Sequence, residues 1–246
     1  MFFDTDFPTL ILSILAVVIA LSIHEFSHGY VAYLLGDDTA KSMGRLTINP
    51  LKHLDPIGSL TMIFFRFGWA KPVPINPRNF KKPKRDFALT AIAGPLSNII
   101  LALFSSLLFL LFLKAYQGAE AGFGKSLLYN TTLFFSIFTS LNVGLGVFNL
   151  IPVPPFDGSR ILNVILPQKL YFKVMRYERQ IYWIVIAWLF GGTYVYHALT
   201  TYTVLGSIPI LSAILKILDL SGLIGEAISF IYYGMISLWQ LIPALR

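Results

Sequence analysis

Cysteine is absent from all 246 residues. That excludes disulfide staples, thiolate metal sites and a cysteine nucleophile, and leaves the redox compartment open. Charge is scarce as well: 13% of residues are charged, against roughly 25% in soluble domains. With only 12 acidic residues in the chain, any carboxylate inside an apolar run calls for an explanation. In place of charge stand several apolar runs of about 20 residues, the length that crosses a bilayer core. Hydrophobic residues make up 56% of the chain and the mean hydropathy is +0.70. Together these features predict an all-α polytopic membrane protein forming one domain over residues 1–246. The opening MFFDTDF is acidic where a secretory leader is basic, and the apolar run after it is too long for a leader's core, so a cleavable signal is not expected.

The net charge of +7 does not make nucleic acid a partner, because of where the charge lies. Ten of the 19 Lys and Arg residues fall between Lys41 and Arg85 and five between Arg160 and Arg179. Basic loops beside apolar runs follow the positive-inside rule, which makes both stretches cytoplasmic. Spans are expected at about Pro8 to Leu35, Phe87 to Leu113, Leu127 to Leu150 and Ile181 to Tyr202. A weak apolar segment, Val204 to Leu218, and a stronger one, Leu223 to Leu245, bring the total to five or six. Residues 36–86 read as a cytoplasmic-side, Pro-rich loop, in which β-favouring runs predict a small β-hairpin or re-entrant element. The segment from Arg160 to Arg179 is basic and amphipathic, suited to the membrane surface.

One motif conflicts with this apolar setting. His24-Glu25-Phe26-Ser27-His28 lies inside the first span, where each charged side chain costs about 2.5–3.5 kcal/mol. Histidines at i and i+4 share one helix face and can take two corners of a tetrahedral Zn²⁺ site, with the intervening Glu beside the open corner. A metal accounts for all three polar groups together. A buried hydrogen-bond network is the bland alternative.

A catalytic zinc site needs a third protein ligand. Carboxylates near the expected cytoplasmic edge are Asp37, Asp38, Asp55, Asp157 and Glu178. Asp157 follows the rigid run Asn149-Leu150-Ile151-Pro152-Val153-Pro154-Pro155-Phe156 and precedes Gly158, a frame that can aim one carboxylate back into the membrane. It could equally cap a helix that starts near Ser159, and the residues alone leave both readings open. His53 reads as a solvated or hydrogen-bonded loop histidine, and His197 falls in the outer half of its span, outside the site.

Taken together, the H-E-x-x-H motif and the later N-x-x-P-x-x-x-x-D-G segment from Asn149 to Gly158 resemble the site-2 protease family of intramembrane zinc metalloproteases. The resemblance extends to GRLTINPL and AGPLSN and covers most of the chain. It implies one Zn²⁺ per chain held by His24, His28 and Asp157, Glu25 as catalytic base, and Asn149 near bound substrate. It also implies a minimal member without PDZ or CBS domain. Phe156 stands where relatives often have Leu. The implied activity is hydrolysis of peptide bonds in or near transmembrane segments of protein substrates, in regulated intramembrane proteolysis. The expected partners are a transmembrane-helix substrate, the bilayer and an unidentified regulatory membrane protein. The expected place is the plasma membrane of a prokaryote, with the site toward the cytoplasm. A non-proteolytic zinc-binding scaffold or transporter is the alternative, although zinc binding alone does not require Glu25. The G-x-S-G and G-x-G-D motifs of other intramembrane proteases are absent.

Overall fold

The computed structural model describes residues 6–65, 69–203 and 207–245. Helix α1 (Phe7–Leu34) begins with Pro8 in its first turn, where a missing N–H costs nothing. After the short α2 (Thr39–Ser42) comes α3 (Pro56–Phe65), then the long α4 (Pro83–Gly118) and α5 (Phe123–Leu150). Two amphipathic helices, α6 (Gly158–Ile165) and α7 (Gln168–Arg176), lead to α8 (Glu178–Tyr202). The short α9 (Pro209–Leu215) and the apolar α10 (Leu220–Trp239) complete the chain.

The core lies where α1, α4 and α5 meet. Ala16 and Ala20 of α1 pack against Phe138 of α5, with Leu101 of α4 and Phe134, Leu141 and Leu145 of α5 around them. Small and polar side chains bring the backbones together: Ala102 is fully buried, and Ser105 Oγ meets Thr139 Oγ1 at 2.8 Å. Large apolar residues point outward instead, including Leu96, Ile100, Phe104 and Leu111 on α4. Small residues inside and large ones outside is the arrangement of helices packed in lipid, where apolar burial between helices brings no gain over lipid contact.

Four helices among the described residues are long and apolar enough to cross a membrane: α1, α4, α5 and α10. Helix α8 would make a fifth if its two halves, Glu178–Leu189 and Gly191–Tyr202, are one span; they meet at 43° beside the Gly191-Gly192 pair. The weak segment at Val204 to Leu218, expected as a possible sixth span, does not have the length. Its described part folds as α9 and a following 3-10 turn, and Pro209–Leu218 is apolar but shorter than a span. Ten residues of helix reach about 15 Å, half the hydrocarbon core.

The expected β-hairpin or re-entrant element does not appear as paired strands among the described residues. Among the described residues of the Pro-rich loop, β structure amounts to one antiparallel bridge, Leu54 with Ala70. Pro56 opens α3 and Asp55 Oδ1 accepts the Gly58 N–H at 2.8 Å, so the apolar run that looked strand-like satisfies its backbone within a helix. Residues 66–68, part of that expectation, lie outside the described residues.

Helix α10 runs along α4 and α5. Leu220, at its start, shares an apolar cavity with Ile151, Val153 and Phe156 just past the end of α5. At its far end Trp239 Nε1 donates to Leu103 O and Ser106 Oγ of α4, and Lys114 Nζ donates to Ala244 O.

Candidate metal centre

His24 and His28 stand one turn apart on the buried face of α1. They lie ten and six residues before its last residue, about 15 and 9 Å along the axis at 1.5 Å per residue. Asp157 approaches from the junction of α5 and α6. Gly158 makes the junction possible, since a Cβ there would sit 2.4 Å from Leu150 O and 2.5 Å from Ile151 O. Asp157 occupies the N-cap position of α6 but makes no side-chain cap bond. Its Oδ2 instead lies 3.1 Å from Nε2 of both histidines, and the two Nε2 atoms are 3.0 Å apart. Of the two readings of Asp157 the structure favours the inward carboxylate.

The donor chemistry fits a metal ion. His28 Nδ1 lies 2.7 Å from Thr90 O, a backbone carbonyl that can only accept, so Nδ1 carries the proton. His24 Nδ1 lies 2.5 Å from Asn98 Oδ1. With both protons on Nδ1, two Nε2 lone pairs and a carboxylate oxygen converge with no hydrogen between them. A proton on one Nε2 relieves part of that repulsion, whereas a metal ion can engage all three donors at once. The triangle's edges of 3.0–3.1 Å are close to the edges of about 3.3–3.4 Å for a tetrahedron with zinc bonds of about 2.0–2.1 Å. Among the described residues, His24, His28 and Asp157 form the one group of three or more potential ligands with this convergence.

A cleft of about 410 Å³ opens beside these atoms. Glu25 and Asn149 line it, together with Pro72, Val73, Phe87 and Arg160. Glu25 Oε2 accepts the Val73 N–H at 2.8 Å. Asn149 Nδ2 donates to Leu145 O at 3.0 Å. Arg160 donates to Glu178 Oε1 at 3.1 Å and lies over the Phe87 ring. His53 is buried away from the cleft, with Nε2 at 2.6 Å from Thr47 O, and His197 is exposed on α8. Neither histidine lines the cleft.

Several residues at the site were not singled out by sequence reasoning. Gly94 faces the imidazoles so closely that a Cβ would lie 2.4 Å from His28 Nε2 and 2.6 Å from His24 Cε1. The glycine of the AGPLSN stretch is the floor under the ligands and its Asn98 holds one of them. Arg45, from GRLTINPL, donates through Nη2 to Lys71 O and Pro72 O at 2.9 and 3.2 Å. Asp37 accepts from Asn76 N–H and from Asn79 Nδ2, both at 2.7 Å. These bonds set the path of the segment that meets Glu25, and no local spacing rule reveals them.

The profile of peptidase family M50 matches residues 12–191. A Bacillus subtilis (strain 168) protein named "Putative zinc metalloprotease YwhC" is 46% identical over 167 residues, covering 67% of this chain and 74% of its own. The Mycolicibacterium smegmatis protein named "Putative zinc metalloprotease Rip2" is 32% identical, with 65% of this chain and 61% of its own covered. "Zinc metalloprotease MJ0392" of Methanocaldococcus jannaschii is 31% identical over 61% of this chain, which is 33% of its own length. No solved structure matches significantly. Zinc is the ion that these relatives imply, and the three donors can hold it. The matched residues contain the histidine pair, Glu25, Asn149 and Asp157, and the chain belongs to peptidase family M50.

Proposed function

We propose that the chain is a zinc-dependent intramembrane endopeptidase of the site-2 type, acting in regulated intramembrane proteolysis on transmembrane-helix substrates. One observation carries this reading. His24 Nε2 and His28 Nε2, on a helix able to span a membrane, converge with Asp157 Oδ2 within 3.1 Å of one another, and Glu25 lines the same cleft.

In this reading His24, His28 and Asp157 are the ligands. Bound there, zinc supplies a Lewis acid that polarises the scissile carbonyl and acidifies water. Glu25 takes a proton from the attacking water and delivers it to the nitrogen of the leaving strand as the C–N bond breaks. One water is consumed, a carboxylic acid and an amine form, and Glu25 ends as the carboxylate it was. Asn149, on the cleft wall, is proposed to hold the substrate backbone. A substrate helix must unwind before its carbonyls are free, and the extended Pro72-to-Ile75 wall offers it a neighbour of similar conformation.

The basic loops support a site toward the cytoplasm, and the membrane proposed is the plasma membrane of a prokaryote. Helices α1, α4, α5 and α10 are proposed as the four crossings. Since α10 starts beside the end of α5 and finishes beside the far end of α4, α8 would need a return crossing before α10, and α9 is too short for one. The segment from α6 to α9 then stays on the side of the site. A regulatory membrane partner remains part of the proposal.

The test is cleavage of a reporter transmembrane substrate by purified, zinc-loaded protein. Glu25→Gln is expected to retain zinc and lose cleavage, and Asp157→Ala to lose both. Equal cleavage by Glu25→Gln and wild type would remove Glu25 from the chemistry. An unchanged zinc count in Asp157→Ala would remove the third ligand. Absence of cleavage by the zinc-loaded wild type would favour a non-proteolytic scaffold.

A further inference from the structure

We infer that Asn98 and Asn142 are positioning residues that set the tautomer of His24, and that Asn142 governs zinc affinity without touching either imidazole. The inference rests on the zinc reading above. Both amides are fully buried, in α4 and α5, and His24 is 5% exposed. The chain of bonds runs through three helices: His24 Nδ1 with Asn98 Oδ1 at 2.5 Å, Asn98 Nδ2 to Asn142 Oδ1 at 2.8 Å, and Asn142 Nδ2 to Phe138 O at 2.8 Å.

The direction of that chain is not a free choice. Phe138 O is a backbone carbonyl and can only accept, so the NH₂ of Asn142 must face it. Oδ1 of Asn142 then faces Asn98, which must answer with its NH₂. That leaves Oδ1 of Asn98 toward His24, so His24 donates from Nδ1 and keeps Nε2 bare for the metal. His28 needs no such relay, because its acceptor, Thr90 O, cannot rotate. His24 is therefore the ligand whose ring state depends on side chains, and its reference point is a carbonyl on α5.

Replacing Asn142 by Leu removes the acceptor that orients Asn98. The Asn98 amide can then turn its NH₂ toward His24 and stabilise the tautomer with the proton on Nε2, where the metal lone pair is needed. Leucine keeps the branching of asparagine at Cγ but is larger, so the variant adds some repacking to the loss of the acceptor, and the Asn98→Asp variant separates the two effects.

The test is zinc affinity by chelator competition on the full chain in detergent, with wild type, His24→Ala, Asn98→Leu, Asn142→Leu and Asn98→Asp. Loss of zinc in His24→Ala establishes the site; its indifference would overturn the zinc reading and this inference together. Both Leu variants are expected to weaken zinc by about 10- to 100-fold, the range for supporting partners of metal ligands. Asn98→Asp is expected to stay within a few fold of wild type, since a carboxyl protonated toward Asn142 still offers His24 an acceptor. Wild-type affinity in Asn142→Leu, or equal losses in Asn98→Asp and Asn98→Leu, would overturn the relay alone. Should the Leu variants not fold, ¹⁵N-histidine spectra of the metal-free wild type decide. The chain has four histidines, and a proton on His24 Nδ1 is expected, whereas a bare Nδ1 overturns the inference.

Discussion

Glu25 Oε2 accepts the backbone N–H of Val73 at 2.8 Å. Val73 stands between Pro72 and Pro74, neither of which has an N–H, so it is the only main-chain donor that this Pro-Val-Pro stretch can present. Its side chain is buried above Gly29, whose would-be Cβ lies 3.0 Å from Val73 Cγ1. The carboxylate on α1 is thus oriented by a loop about 48 residues later, and on the proposed role of Glu25 the bonds that hold that loop would act on catalysis indirectly.

Arg45 is the first of these. It is 9% exposed and holds Lys71 O and Pro72 O immediately before Val73. Arg45→Met should destabilise the fold by about 1.5–3 kcal/mol, the scale for hydrogen bonds to a charged group. Cleavage should fall about tenfold, while bound zinc, counted by metal analysis, should stay at the wild-type level. That magnitude corresponds to about 1.4 kcal/mol of transition-state stabilisation. A parallel loss of zinc would place Arg45 in the support of the ligands rather than of Glu25.

Asp37 is the second, and it brings a pH dependence. Burial pushes its carboxyl up, but bonds from Thr39, Asn76 and Asn79 outweigh burial and hold it below its ordinary value. A depressed carboxylate contributes stability that is present above the unfolded value near 3.9 and is lost as pH falls through the folded value. Asp37→Asn should therefore speed proteolysis of the 71–79 segment at pH 7. Wild type and variant should converge only below about pH 4. Convergence at neutral pH would show that the Asp37 charge does not hold the loop.

Gly94→Ala sets local helix propensity against site geometry. Alanine favours a helix interior by about 1 kcal/mol over glycine, so secondary structure by circular dichroism should be unchanged. The new Cβ would nevertheless sit 2.4 Å from His28 Nε2 and displace both imidazoles. Zinc content should drop to below about a tenth of wild type, given steep loss when ligands leave tetrahedral positions. Full zinc occupancy in the variant would mean that α1 and α4 can separate without cost.

The cysteine-free chain makes topology directly measurable. Single cysteines at Lys52 and at Tyr202 should react with a membrane-impermeant thiol reagent from the same side if four helices cross. Labelling of Tyr202→Cys from the opposite side would show that α8 spans. Contacts bind the middle of α8 to the start of α10: Trp188 Nε1 donates to Leu218 O and Thr193 Oγ1 to Asp219 Oδ1. Those contacts and the bend beside Gly191 are what the sequence could not show, because a run of apolar residues reads alike whether it crosses or folds back.

His24, Glu25 and His28 were legible because their relationship is local: a spacing of four places two rings on one face of any helix. The apolar spans were legible for the same reason, since length and hydropathy belong to each segment alone. The loop between α2 and α4 was not. Its β-favouring residues and prolines predicted a small β-hairpin or re-entrant element without choosing between them, whereas among the described residues Pro56 and Asp55 start α3 and the β pairing is a single bridge at Leu54 and Ala70.

By itself, then, the sequence determined a polytopic helical chain carrying a pair of imidazoles and a carboxylate on one helix, and its motifs pointed to the family. Tertiary structure alone decided whether Asp157 capped α6 or turned to the imidazoles, and it brought Gly94 and Asn98 against the imidazoles, Asn142 onto Asn98, and Arg45 onto the segment that meets Glu25. The reason is physical. Helical periodicity is written in neighbouring residues, but a metal centre is closed by groups 62 to 133 positions away, and their meeting depends on how three helices pack.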